Sequence, residues 1–199
     1  MKPMQLLPAM LVASALALTA CSDASDKSTT AATAAAPAAA VSIPAIASEA
    51  KGFTVGSTMS VRTVYVFFDA QCPHCGQLWE AARPLKPQAK FVWIPVGLLN
   101  AQSTTQGAAL LAAADPAGAM DTHEVSLRDH KGGIVPSGDS DAQKAAVQAN
   151  TKLMNRFHFA SVPTIVAKHA VTGELVVKEG AMPTASLAAA LGLQPPAGN

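Results

Sequence analysis

Two apolar runs joined by a short helical pattern limit the possible folds of this chain more than any other feature. The runs cover residues 64–68 and 91–96, and both are rich in β-branched and aromatic side chains. Neither alternates with polar residues, which is typical of strands covered on both faces. Between them, Leu78, Trp79 and Ala82 recur at helical spacing. A strand, a helix and a second strand in this order form a right-handed parallel crossover, so the sequence predicts the centre of an α/β sheet.

A pair of cysteines lies between the first strand and the helix, as Cys72-Pro73-His74-Cys75. Proline is favoured at the first helical position, so Pro73 places Cys72 at the start of the helix. Unpaired backbone amides and the helix dipole stabilise an anion there, and His74 can add to this effect. Since the thiolate is the reactive form of cysteine, Cys72 is the predicted nucleophile. Cys75, one helical turn later, is the predicted resolving thiol, and the pair would alternate between dithiol and redox-active disulfide.

The same cysteine spacing also supplies half of a metal site. The chain has only three cysteines, and no second close pair occurs. His123 and His130 would complete a zinc set, but six residues separate them, whereas the usual spacing is about three to five. We therefore predict no resident metal and no cofactor. Capture of Cu(I) by the two soft thiolates stays open as a function of a different class.

The rest of the folded part is predicted to add helices on both sides of one hairpin. The elements are two short helices within 103–131, a helix that begins at 139–141, strands 164–167 and 175–177, and a last helix from Pro183 to Gly192. On the middle helix, Ala146, Ala149, Leu153 and Phe157 are expected to face the core. The order matches a thioredoxin-like fold, α/β in class, with a helical insertion.

The amino terminus has the pattern of a bacterial secretory signal. Lys2 precedes an apolar stretch over residues 4–17, and the sequence LTAC then ends at Cys21. These four residues resemble a lipobox, in which the cysteine is acylated and becomes the first residue of the mature chain. A lipidated Cys21 would anchor the protein to a membrane without a transmembrane helix. The resemblance to lipoproteins also implies the outer membrane, because Ser22 and not aspartate follows the cysteine. The alternative is an ordinary signal peptide with Cys21 present by chance.

Composition predicts how the chain is divided. Residues 22–50 are mostly Ala, Thr, Ser and Pro, with no apolar periodicity. We predict a signal peptide over 1–20, a flexible tether over 21–51, the folded domain over 52–193 and a tail over 194–199. The 14 lysine and arginine residues nearly balance the 13 aspartate and glutamate residues, so composition does not support nucleic-acid binding.

Several segments around the cysteines resemble a known family of envelope proteins. They are residues 67–71, 77–79 and 94–97, the Ala-rich segment that ends at Pro116, and Val162-Pro163-Thr164. Together they are similar to the periplasmic DsbC/DsbG disulfide isomerases, with the DsbG-like features stronger, over residues 52–193. The resemblance implies isomerisation or reduction of wrong disulfides and rescue of sulfenylated cysteines. It also implies cysteine-containing envelope proteins as substrates and a membrane redox partner that resets the pair.

The resemblance also implies that Val162 and Pro163 lie in the active site, beside the cysteine pair. Thioredoxin-like proteins carry a cis-proline beside the cysteines, just before a strand, and Pro163 has that position. The backbone of Val162 would then face the bound substrate strand.

Departures from the family leave the direction of electron flow open. The family's amino-terminal dimerisation domain is replaced by the tether, so we expect a monomer. Val162 and the CPHC sequence are similar to the oxidase DsbA, which makes a disulfide oxidase the alternative activity. Val66 occupies the position at which thioredoxin and DsbA place a buried acid.

The other polar and aromatic side chains near these motifs are expected to have structural and not catalytic roles. Asp69 is expected to be a solvated carboxylate at a strand end, with the role of proton carrier as the second possibility. The histidines outside the CPHC sequence are expected to be surface or helix-end residues: His123, His130, His158 and His169. Trp79 and Trp93 are expected to be core residues.

Overall fold

The computed structural model describes residues 39–136 and 141–196. Its elements are α1 (Ile43–Glu49), β1 (Phe53–Gly56), β2 (Thr63–Asp69), α2 (Pro73–Ala82), a 3-10 turn (Arg83–Leu85), β3 (Lys90–Val96), α3 (Ala101–Ala112), α4 (Pro116–Arg128), α5 (Asp141–Arg156), β4 (Thr164–Lys168), β5 (Leu175–Glu179) and α6 (Thr184–Leu191). The expected signal peptide, Cys21, the first part of the expected tether and the end of the expected tail lie outside the described residues. Within the described ranges, no helix is long and apolar enough to cross a membrane.

One mixed sheet forms the centre of the described part, in the order β1-β3-β2-β4-β5. Strands β2 and β3 are parallel and joined by α2, as the sequence predicts. Strands β4 and β5 form the predicted antiparallel hairpin, and β4 pairs with β2. Strand β1 was not predicted, because only two of its four residues, Phe53 and Val55, are apolar and buried. The predicted α/β class and thioredoxin-like element order are confirmed.

Both faces of the sheet are covered, which explains the continuous apolar runs. Consecutive residues of a strand point to opposite faces. Phe68 packs on the face that holds Trp79 and Trp93, whereas Phe67 packs with Ile94 on the face covered by α1 and α5. The two tryptophans are fully buried, with ring centroids 4.9 Å apart in an edge-to-face arrangement, so their assignment to the core is confirmed.

The predicted boundary between tether and domain is wrong, because residues 43–49 form helix α1. The side chain of Ser42 caps this helix by accepting a hydrogen bond from the backbone N–H of Ala45. Ile46 is fully buried against the sheet, and Glu49 forms an ion pair with Arg156 of α5 at 2.7 Å. One isoleucine in an alanine-rich segment gives no periodic signal, so composition alone assigned this helix to the tether.

The core-facing stripe of α5 is also displaced from its predicted position. Ala149 is exposed, and the buried side chains include Asn150 in addition to Leu153. The Asn150 amide accepts a hydrogen bond from the backbone N–H of Lys51 (2.9 Å) and donates to the carbonyl oxygens of Lys51 and Pro95. A polar residue therefore occupies the centre of the helix contact, which an apolar pattern does not reveal.

Candidate active site

The cysteine pair lies where β2 passes into α2. Cys72 is the N-cap residue of α2, with extended backbone angles, and Pro73 is in the first turn. The backbone N–H of Cys72 donates to the carbonyl of Asp69, and that of Cys75 donates to the carbonyl of Cys72, both at 3.0 Å. Both cysteines are free thiols. Cys72 is 4% exposed and Cys75 is 0% exposed, so only the first sulfur can be reached from the surface.

The environments of the two sulfurs differ, and their pKa values move in opposite directions. A hydrogen bond from the Cys75 thiol is the largest of the effects that lower the pKa of Cys72 to about 7. Burial opposes this effect, while the backbone amides of Cys75 and His74 and the charge of His74 contribute to it. Burial, followed by the neighbouring Cys72 sulfur, raises the pKa of Cys75. Cys72 therefore ionises near neutral pH while Cys75 keeps its proton.

This asymmetry predicts the pH dependence of alkylation. The rate at which iodoacetamide modifies Cys72 should rise with a midpoint near pH 7, and mass spectrometry of the peptide that contains Cys72 measures it. Cys75→Ala should move the midpoint toward the ordinary value of 9.0, because it removes the largest stabilising contact. A midpoint already near 9 in the unchanged chain would contradict the account.

The loop before β4 lies against the same sulfur. The Val162–Pro163 peptide bond is cis, Pro163 is buried and Val162 is half-buried. The carbonyl oxygen of Val162 is 3.6 Å from the sulfur of Cys72, within reach of a thiol hydrogen bond. The structure therefore brings together two segments that are 90 residues apart in the chain.

The expectation that Asp69 is a solvated carboxylate is wrong. Asp69 is fully buried. One of its oxygens accepts a hydrogen bond from the backbone N–H of Gln71 (2.8 Å), and the other accepts from those of Leu98 (2.7 Å) and Leu99 (3.0 Å). The carboxylate thus joins the end of β2 to the loop after β3. Two of its three backbone donors, Leu98 and Leu99, come from a loop that is distant in sequence, which explains why a solvated strand end was expected.

His123 is likewise not a surface residue, because it is fully buried on α4. Its Nε2 lies 2.5 Å from the carbonyl oxygen of Ala70, and its Nδ1 accepts a hydrogen bond from the backbone N–H of Ile134 at 3.1 Å. These partners require a neutral ring protonated at Nε2, and burial lowers the pKa of His123. Both ring nitrogens are engaged, so His123 cannot complete a zinc set with the cysteines.

The other histidines that were expected at the surface or at helix ends differ in exposure. His130 and His158 are exposed, whereas His169 is half-buried and accepts a hydrogen bond from the backbone N–H of Thr172. His74 is exposed, with Nδ1 3.2 Å from Oε1 of Gln77. No three metal-binding side chains cluster together in the described ranges.

Sequence reasoning missed Glu124, the other acidic residue of the site. Its side chain is 3% exposed, and Oε1 has no hydrogen-bond partner. The carboxylate lies against Gly76, where a Cβ atom would overlap it. Burial is the main effect that raises the pKa of Glu124 to about 7, and the negative charge of Cys72 adds to it, against the opposing charge of Arg128. A glycine inside a helix, directly after the cysteine pair, was the one available sign of a close approach.

Glu124→Gln is expected to change how stability depends on pH. The folded-state pKa is above the ordinary value of 4.5. The stabilising effect of the bound proton is therefore complete below about pH 4.5 and is lost as the pH rises through about 7. Relative to the unchanged chain, the variant should gain about 2 to 3 kcal/mol in unfolding free energy between about pH 5 and about pH 8. Urea unfolding measures this gain. The exposed Glu174→Gln is the matched control, and parallel curves for Glu124→Gln and the unchanged chain would contradict the assignment.

The sheet, the CXXC pair at the start of α2 and the adjacent cis-proline define a protein of the thioredoxin-like class. Comparison with solved structures agrees: the catalytic domain of Proteus mirabilis ScsC has a TM-score of 0.57 at 16% identity, covering 75% of this chain and 96% of that one. The thiol-disulfide exchange protein α-DsbA2 from Wolbachia pipientis also has a TM-score of 0.57 at 16% identity, covering 71% and 86%. At these identities the likeness concerns the fold.

Sequence similarity points to one kind of thioredoxin-like protein. The thiol:disulfide interchange protein DsbG of Pseudomonas aeruginosa is 32% identical over 140 residues, which are 69% of this chain and 54% of that protein. DsbG of Escherichia coli K12 is 36% identical over 104 residues, covering 51% and 42%. No family model matches the chain. The chain spans about half the length of the curated relatives it matches. Over this span the chain is similar to DsbG, and the predicted resemblance is confirmed.

Proposed function

We propose that this chain is a thiol-disulfide oxidoreductase that acts on disulfides or oxidised cysteines of envelope proteins. The observation that carries the proposal is the position of Cys72. Its sulfur lies at the amino end of α2, has a lowered pKa, and is in contact with the thiol of buried Cys75 and the carbonyl of Val162. Such a sulfur is the reactive group that thiol-disulfide exchange requires.

The exchange proceeds in two steps that balance. The Cys72 thiolate attacks one sulfur of a substrate disulfide, that disulfide breaks, and the departing sulfur takes a proton. Cys75 then loses its proton and attacks the Cys72 sulfur, which closes the Cys72–Cys75 disulfide and releases the second substrate sulfur as a thiol. The substrate gains two electrons and the pair loses them. The reverse sequence forms a disulfide in the substrate.

Pro73, His74, Val162 and Pro163 are proposed to support these steps. Pro73 sets the start of α2, and the charge of His74 contributes to the lowered pKa of Cys72. The Val162 backbone, beside the Cys72 sulfur, would pair with an extended substrate segment as an added strand. Pro163 is buried directly after Val162 and would hold that backbone in place.

The acidity of Cys72 favours the reductase or isomerase direction over the oxidase direction. A more acidic nucleophile makes the reduced form more stable and the disulfide more oxidising. The nucleophilic cysteine of thioredoxin, a reductant, has a pKa of about 7, and that of DsbA, an oxidant, has a pKa of about 3.5. The pKa of Cys72, lowered to about 7, corresponds to the first of these.

We propose a periplasmic location with a lipid anchor at Cys21, on the outer membrane. One structural neighbour is itself a periplasmic thioredoxin-like protein from Salmonella enterica. We propose that the chain is a monomer and that its folded domain runs from α1 to about residue 193. A membrane redox partner would keep its cysteine pair reduced. Mass spectrometry of the mature amino terminus tests the anchor: a diacylated Cys21 supports it, and an unmodified Ser22 or alanine start would remove it.

Two assays on the full chain test the direction of exchange. With a thiol donor present, the chain should accelerate insulin reduction and the refolding of a substrate with scrambled disulfides. Faster disulfide formation in a fully reduced substrate, with neither of these activities, would favour the DsbA-like alternative. Absence of all three activities would refute the proposed function.

A further inference from the structure

A cavity opens beside the nucleophile, between α2 and α4. Its volume is about 410 Å³. Pro73, Gly76 and Gln77 of α2 form one wall, and Glu124 and Leu127 of α4 form another. Gln71 also lines it, so the two residues that flank Cys72 in the chain both border the cavity. A substrate segment held at Cys72 would therefore pass the mouth of this cavity.

The carboxyl of Glu124 forms no ion pair with the described residues that line this cavity, although the charge of Arg128 acts on it from a greater distance. Its Oε1 is buried without a hydrogen-bond partner, and Glu124 forms no ion pair within the described part of the chain. The other charged groups of the lining, Glu80 and Arg128, are paired with each other at 3.3 Å, and Glu80 also meets Arg83 at 3.4 Å. Exposed His130 also lines the cavity, and Oε1 of Glu124 is left without a hydrogen-bond partner.

We propose that this cavity is a specificity subsite that accepts a lysine or arginine side chain of the substrate, a few residues from the reacting cysteine. The proposal rests on the proposed function and names a feature of its substrates. The aliphatic stem of such a side chain would pack on Leu127 and Pro73, and its charged end would donate hydrogen bonds to Glu124. A buried carboxylate without a partner is unfavourable, so the incoming cation supplies the missing interaction.

The pairing of Glu124 with a substrate cation would also affect the Cys72 thiolate. Glu124 and the Cys72 thiolate repel each other, as the influence of Cys72 on Glu124 indicates. A cation bound to the carboxylate would relieve that repulsion while it positions the substrate disulfide. Gly76 is required for this arrangement, because a side chain there would displace the carboxylate.

A series of short cysteine peptides tests the proposal. Each peptide is prepared as a mixed disulfide with a chromogenic aryl thiol. Each carries a single lysine, placed before or after its cysteine, and is matched by a peptide with glutamine at that same position. The reduced full chain converts peptide and aryl groups to two thiols while its own pair becomes a disulfide. We expect lysine in one or two registers to raise the second-order rate constant about tenfold over glutamine, as a charged hydrogen bond would.

Two variants test whether Glu124 causes the preference for lysine peptides. Glu124→Gln should abolish the lysine preference, so that lysine and glutamine peptides react with this variant at rates within about twofold of each other. Glu174→Gln removes the same charge from an exposed turn at the far end of the β4–β5 hairpin, and should keep the preference in full.

The outcomes distinguish the subsite from the function on which it rests. Equal rates for lysine and glutamine peptides in every register of the unchanged chain would overturn the subsite, without recourse to any variant. A preference that survives in a folded Glu124→Gln chain would overturn it as well. If the unchanged chain reacted with none of the peptides, the proposed function itself would fail.

Discussion

A Cys72→Ser chain is expected to lose thiol-disulfide exchange completely, to the uncatalysed rate. Cys72 is the reactive sulfur at the amino end of α2, and Cys75 is fully buried with a raised pKa. The second thiol therefore cannot take over the attack on a substrate. Insulin reduction, measured with the variant and the unchanged chain at equal concentration, checks this loss.

Cys75→Ser is the matched variant, and it should behave differently. Its nucleophile remains, so the first step still occurs, but the mixed disulfide with the substrate cannot be resolved from within the chain. Covalent adducts of substrate on Cys72 should then accumulate and should be visible on a non-reducing gel. Retained exchange in Cys72→Ser, or adducts on Cys75 in that variant, would show that the roles are assigned wrongly.

Asp69→Ala should destabilise the domain by about 3 to 5 kcal/mol, the second of the two largest effects. The carboxylate accepts hydrogen bonds from the backbone amides of Gln71, Leu98 and Leu99, and alanine would leave these donors without partners. A hydrogen bond to a charged group contributes about 1.5 to 3 kcal/mol, and three such bonds are lost here. Urea unfolding of the reduced chain measures the loss.

Asp115→Ala supplies the comparison for this prediction. Asp115 is exposed, and its side chain caps α4 with a hydrogen bond from the backbone N–H of Gly118 at 3.1 Å. Removal of such a cap costs about 1 kcal/mol. If Asp69→Ala cost no more than Asp115→Ala, the buried carboxylate would not hold the two loops together as the structure indicates.

The central part of the fold could be predicted because its signals are local. The unbroken apolar runs of β2 and β3, with Pro73 after the first of them, indicate strand, helix and strand within a short segment. The position of the cysteine pair follows from the same segment. The hairpin of β4 and β5 and the end of α6 at Gly192, which has a positive φ of 68°, also depend on neighbours in sequence.

The buried polar residues could not be predicted, since their partners are distant in the chain. Asp69 meets Leu98, and His123 meets Ala70, across 29 and 53 residues. Glu124 is buried by the approach of α4 to Gly76, which no periodicity of either helix encodes. Each of these side chains is polar, so sequence reasoning placed it at the surface or left it unassigned.

The central claim is that Cys72 and Cys75 form one reversible redox couple, and equilibration with glutathione tests it most directly. The full chain is incubated in buffers of graded ratios of reduced to oxidised glutathione, quenched with an alkylating agent, and mapped by mass spectrometry. We predict that both cysteines lose their thiols together, in one two-electron transition, to a single Cys72–Cys75 disulfide. Separate glutathione adducts on the two sulfurs, with no bond between them at any ratio, would contradict the account.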